Sequence, residues 1–170
     1  MSSGGVDLAM GHPPNDELLA LYRADQADRE SPRASEGLAL RDAERLDRVR
    51  AILARGDAHV ADDYFHAAIV FQHGHDDADF EMAHELARKA AELVPPHPKA
   101  RWLAAAAKDR ALMKRGLPQL YGTQFRTDAS GRWILHEVDP TVTDEERARW
   151  NVPPLADAEA RLNAMNERSR

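Results

Sequence analysis

Tyr64-Phe65-His66-Ala67-Ala68-Ile69-Val70-Phe71-Gln72-His73-Gly74 is the stretch that decides how the rest of this chain is read. Its apolar residues leave no clean polar face on a helix, and a helix that is apolar all round is a buried helix. Yet it carries His66, Gln72 and His73. At about 100° per residue, His66 and His73 point almost the same way, two turns apart, and Gln72 projects to one side of them. A buried polar group without a partner costs on the order of 1–3 kcal/mol, so three of them on one central helix imply a polar network or a cavity.

Working outward, helical spacing repeats on both sides. Upstream, Asn15 is placed to cap a helix running to about Glu30, with Asp16 and Glu17 where the helix dipole favours acids and Ser31-Pro32 as the break. A second helix, from about Leu38 to Arg55, carries Leu46, Val49, Ile52 and Leu53, and Gly56 fits its C-terminal cap. Downstream, one helix runs from about Asp77 to Val94 and stops at Pro95-Pro96; another runs from about Pro98 to Arg115 and stops at Gly116. Beyond it the texture changes. Leu120 to Arg126 and Arg132 to Val138 are rich in aromatic and β-branched residues and flank Asp128-Ala129-Ser130-Gly131, which reads as a β-hairpin. Thr143 and Glu146 form a capping box for a short helix, and a last polar helix runs from about Ala156 to the C-terminus.

The fold class is therefore mainly α: a compact helical domain over residues 15–170, with a small hairpin at about 119–138 and a flexible segment at 1–14. Ala83, Ala87, Ala90 and Pro95 sit where a tetratricopeptide-type second helix places its small residues and its proline, so helix pairing of that style is expected without a repeat array.

With 170 residues the chain reads as one domain with a core that needs no staples. It has no cysteine, which excludes disulfides, thiolate metal sites and a cysteine nucleophile. A net charge of −6 argues against a nucleic-acid groove, which needs a basic stripe. The start, Met1-Ser2-Ser3-Gly4-Gly5, lacks the cationic and apolar regions of a secretory leader, and no apolar run is long enough to span a bilayer, so a cytoplasmic protein without membrane partners is expected.

A second polar signal lies on the helix from Pro98. Trp102, Ala106, Asp109 and Met113 share one stripe, which turns Asp109 to the core, and Arg110 lies beside it. Two readings stand: a structural ion pair, or part of a site. A third signal is Gln119-Leu120-Tyr121-Gly122-Thr123-Gln124, hydrogen-bonding side chains around a glycine; on an alternating strand Gln119, Tyr121 and Thr123 would share a face.

Together, Gln72-His73, Asp109-Arg110 and Gln119 to Gln124 resemble an uncharacterised bacterial domain family marked by Gln-His, Asp-Arg and Gln-x-Tyr-Gly-Thr-Gln motifs. Asp144, Arg147 and Val152-Pro153-Pro154-Leu155 resemble its closing segment, and the likeness covers about Leu46 to Leu155. The resemblance implies where the site lies and brings no established activity.

Three functions compete. One is a small metal-independent, cofactor-free enzyme for hydrolysis, elimination or cyclisation of a small molecule or peptide. His73 would be its general acid or base, Asp109 would orient it, and Tyr121 would be a second proton donor. Gln72, Arg110, Gln119, Thr123, Gln124 and His66 would bind substrate. The alternative is a non-catalytic helical module that binds a protein or peptide. The third is a metal site on His73, His75 and Asp77, with His84 nearby, whose spacing matches no standard ligand motif.

Overall fold

A computed structural model describes residues 12–31, 36–94 and 97–168. Most of the expected flexible segment, and the breaks at Pro32 and Pro95-Pro96, lie outside the described residues. Five helices form the body: α1 (Asp16–Glu30), α2 (Leu38–Ala54), α3 (Ala61–Gln72), α4 (Asp77–Leu93) and α5 (Pro98–Lys114). Strands β1 (Phe125–Thr127) and β2 (Trp133–Leu135) follow, then α6 (Asp144–Arg149) and α7 (Leu155–Arg168).

The caps explain the boundaries. Asn15 accepts a hydrogen bond from the Leu18 amide and Asp76 one from Asp79, while the ring of His97 does the same for Ala100 at the start of α5. Gly74 between α3 and α4 has no room for a side chain, because a Cβ there would collide with Asp79. Asp63, with no exposed surface, accepts from the amides of Asn15, His59 and Val60 and so ties the start of α1 to the turn before α3.

Helices α1, α3 and α5 run in the same direction. Asn15 meets Asp63 where α1 and α3 begin, and Asp25 meets His73 where they end. His97 lies 5.3 Å from the Phe65 ring at one end of α5, and Arg110 reaches the Gln72 carbonyl at the other. Helices α2 and α4 return behind them. The core runs through Leu18, Leu46, Val49, Ile52, Ala67, Val70, Phe71, Leu86 and Leu103, all buried. Ala83 and Ala87 of α4 share it with Ala104 and Ala107 of α5, small residues that let helices approach closely.

The hairpin is shorter than expected from sequence. Only three residues pair on each side, in the register Phe125↔Leu135, Arg126↔Ile134, Thr127↔Trp133. Residues Leu120 to Gln124 are not strand; they form a loop wrapped on a buried carboxylate of α5. The turn is as expected: Asp128 accepts from Ser130 and Arg132, and Gly131 takes a positive φ of 81°. Helix α7 packs on the hairpin, and the Asn166 side chain both accepts from the Trp133 amide and donates to its carbonyl. No helix among the described residues is long and apolar enough to cross a membrane.

Candidate functional site

Asp109 has no exposed surface. Its Oδ1 accepts from the amides of Leu120 (2.7 Å) and Tyr121 (3.0 Å). Its Oδ2 accepts from the Thr123 amide (3.1 Å) and hydroxyl (2.8 Å). Burial raises the carboxyl pKa, against the pull of these donors. Gln119, also fully buried, closes the loop from the other side: its Oε1 accepts from Gln124 N, and its Nε2 donates to the carbonyls of Gln124 and His136. Arg147 donates to the Tyr121 and Val142 carbonyls and pairs with Asp144. It is 3% exposed, although its place on a short polar helix reads as exposed in sequence. Gly122 has a φ of 82° and sits against Leu155. Asp109, Gln119 and Arg147 are thus the fasteners of this loop. Asp109 makes no ion pair with Arg110 and no contact with His73.

His73 turns instead to α1. Its Nδ1 lies 3.1 Å from Oδ1 of Asp25, which is fully buried and also receives Arg29 (2.9 Å) and the side-chain Nε2 of Gln26 (2.8 Å). Around it Asp28 and Asp42 pair with Arg29, Arg41 and Arg45, so three carboxylates face three guanidiniums. Sequence reasoning missed Asp25. Its signal was position: it falls seven residues after buried Leu18, on the same face of α1, with Arg29 one turn later.

Arg110 has no carboxylate partner among the described residues. Its Nη1 donates to the Gln72 carbonyl (2.7 Å), its Nε to Gln124 Oε1 (3.3 Å), and its guanidinium stands 5.7 Å from the Phe80 ring. Burial, with Arg29 nearby, lowers its pKa. Gln124 Nε2 donates to the Ala106 carbonyl and to the Thr123 hydroxyl. A continuous polar chain therefore runs from Gln72 through Arg110, Gln124 and Thr123 to Asp109. Gln72 is 6% exposed, and its Oε1 has no partner.

The other candidates lie apart. His66 stacks on Tyr22 at 4.6 Å; its Nδ1 is buried without a partner, and burial lowers its pKa. Tyr121 packs on Trp150, and burial pushes its phenol up to about 12. It lines a cavity of about 90 Å³ with Trp102, Phe125 and Pro153, which neither His73 nor Asp109 reaches. No group of three or more histidine, aspartate or glutamate side chains among the described residues is placed to hold a metal; His73 faces Asp25, and Asp77 pairs with Arg115.

A larger opening lies between α1, α3 and α5. It is a groove of about 380 Å³ lined by Tyr22 and Gln26 of α1, Phe65 and Ile69 of α3, and Pro98, Lys99, Trp102 and Leu103 of α5, with Asn151 at its edge. Trp102 is 39% exposed at its wall. Compared with known proteins, the chain matches no family model, no curated protein and no solved structure.

Proposed function

We propose that this chain is a non-catalytic helical module that binds a peptide segment in the groove between α1, α3 and α5. The observation that carries this reading is the groove itself: an open trough of about 380 Å³ on three parallel helices, mostly apolar and aromatic with Gln26, Lys99 and Asn151 as its polar groups, and with an exposed tryptophan at its wall. Concave, mostly apolar surfaces with a few polar groups are where ligands bind. The tetratricopeptide-like pairing expected from Ala83, Ala87 and Ala90 belongs to the same reading, because such helices present a groove to a peptide. The polar residues nearby are largely committed to holding the loop and the ends of α1 and α3. The test is a selection from a random peptide library, with binding mapped by NMR. Bound peptides should shift the indole signal of Trp102 and the methyl signals of Ile69, and Trp102→Ala should weaken them about tenfold, a loss typical of an aromatic anchor. Selected peptides that bind Trp102→Ala as tightly as the parent would overturn the reading.

One observation favours a metal-independent acid–base enzyme as a second reading. His73 rests its Nδ1 on buried Asp25, and its Nε2 has no hydrogen-bond partner among the described residues. In that reading Asp25 orients the imidazole, the role that Asp109 was expected to fill, and Arg110 holds an anionic substrate group. Any turnover found on ester, amide or phosphoester substrates should vanish in His73→Ala while the melting temperature stays within a few degrees. Turnover that survives the substitution excludes it.

A further inference from the structure

The cavity of about 90 Å³ has no part in the peptide reading, although it shares Trp102 with the groove. Its walls come from separate parts of the chain. Trp102 stands on α5, Tyr121 and Gly122 on the loop that Asp109 fastens, Phe125 on β1, and Val152 and Pro153 between α6 and α7. Of the chain's four Phe, three Trp and three Tyr residues, one of each lines this one small space. Rings and prolines of this kind take an apolar group out of water. A dry cavity of about 150 Å³ accepts benzene, so a space of about 90 Å³ suits a branched aliphatic group and is too small for an aromatic one.

Two charges line the same cavity. Asp157 and Arg161 lie one turn apart on α7, with the acid first, which is the spacing and order that favour an ion pair on a helix. Such local pairs do form elsewhere in the chain, between Asp25 and Arg29, Asp144 and Arg147, and Glu146 and Arg149. Asp157 and Arg161 do not pair, and neither side chain has a hydrogen bond or ion pair among the described residues. The Arg161 guanidinium stands instead 5.4 Å from the Phe125 ring, at the cavity. Both residues are exposed, so neither fastens the fold.

We infer that this cavity binds a free α-amino acid with a branched aliphatic side chain, its ammonium at Asp157, its carboxylate at Arg161 and its side chain among Trp102, Tyr121 and Phe125. A simple cation would be repelled by Arg161 and a simple anion by Asp157; a zwitterion answers both. A guanidinium that rests its face on a ring keeps its in-plane donors for a carboxylate, so the contact with Phe125 holds Arg161 ready. An apolar pocket with a few polar groups that fix orientation is the usual form of a small-molecule site.

The experiment is isothermal titration calorimetry of the full chain with leucine, isoleucine and valine. Two analogues of leucine each lack one charge: 3-methylbutylamine has no carboxylate and 4-methylpentanoate no amine. At least one of the three amino acids should bind. Each analogue should bind at least about tenfold more weakly than leucine, the scale of one charge-assisted hydrogen bond. Asp157→Asn should weaken leucine and the amine but not the acid, and Arg161→Gln should weaken leucine and the acid but not the amine. Both side chains are exposed, so the melting temperature should hold in each variant. An analogue that binds as tightly as leucine, a preference for phenylalanine or tryptophan, or no binding of any of the three amino acids at about 10 mM, some 2.7 kcal/mol of affinity, would each overturn the inference. Neither Asp157 nor Arg161 lines the peptide groove, so these outcomes leave the peptide reading to its own test.

Discussion

Asp109 and Arg110 are neighbours on α5 and face two very different environments. Asp109 turns to the 119–124 loop, where four donor groups from three residues saturate its carboxylate. Arg110 turns to the end of α3, where it meets two neutral oxygens and no counter-charge among the described residues. They are ionisable groups on the same turn of helix, Asp109 fully buried and Arg110 partly so. One is completed by the fold and the other is not. The contrast teaches that burial alone does not mark function: a saturated charge is a fastener, and an incomplete one is where a ligand has something to add.

The contrast breaks most sharply if Asp109 is removed. Asp109→Ala strands the amides of Leu120, Tyr121 and Thr123, which at about 1–3 kcal/mol each should cost roughly 3 kcal/mol or more. The melting temperature should fall on the order of 10 °C, and those amides should lose hydrogen-exchange protection. Protection that survives would mean that Asp109 is not the fastener. Next in size, Gln119→Leu removes the side chain that joins the loop to the His136 carbonyl and should cost about 2 kcal/mol in urea unfolding, with the five-helix body unchanged by circular dichroism. Arg110→Met should cost less, about 1 kcal/mol or below, because it exchanges an unmatched, partly buried cation for an apolar chain beside Phe80. An Arg110→Met loss equal to that of Asp109→Ala would erase the distinction between the two sides of α5.

The smallest effect is one of pH. His66 has its pKa held below the ordinary 6.5 by burial, so below that pH the unfolded chain takes up the proton more readily than the folded one. Its contribution is complete above about pH 6.5 and is lost as the pH falls toward the lower folded value. From pH 7 to pH 5 the parent should lose less than about 1 kcal/mol more than His66→Phe, since the ring is only half-buried. A larger acid sensitivity in the Phe variant would reverse the assignment.

Much of this was readable beforehand, and the failures share a cause. Helix boundaries followed from local chemistry: Asn15 and Gly116 act within one turn of the residues they cap, and local rules see that far. Of the three polar groups expected to be buried on α3, Gln72 is, because an all-round apolar helix has nowhere else to place it, whereas His66 and His73 stay partly exposed. The partners were not. His73 meets Asp25, 48 residues away, and Gln72 meets Arg110, 38 residues away; neither pairing leaves a trace in spacing. The Leu120–Gln124 stretch read as strand because its residues favour one, yet Asp109 collects the amides of Leu120, Tyr121 and Thr123 before a neighbouring strand can, and only Gln119 keeps a bridge, to Val138.

The two hydrogen bonds that Asn166 makes to Trp133 have a consequence for the protein in a crowded solution. A two-stranded ribbon ends in rows of unpaired amides and carbonyls, which invite pairing with a second chain. By offering one amide group that both accepts and donates, α7 imitates the residue of a missing third strand and occupies the outward-facing pair of β2. Shaving α7 back past Asn166, or replacing that residue with alanine, should leave the helical body folded and turn the hairpin into a seed for edge-to-edge self-association, read as larger species in size-exclusion chromatography.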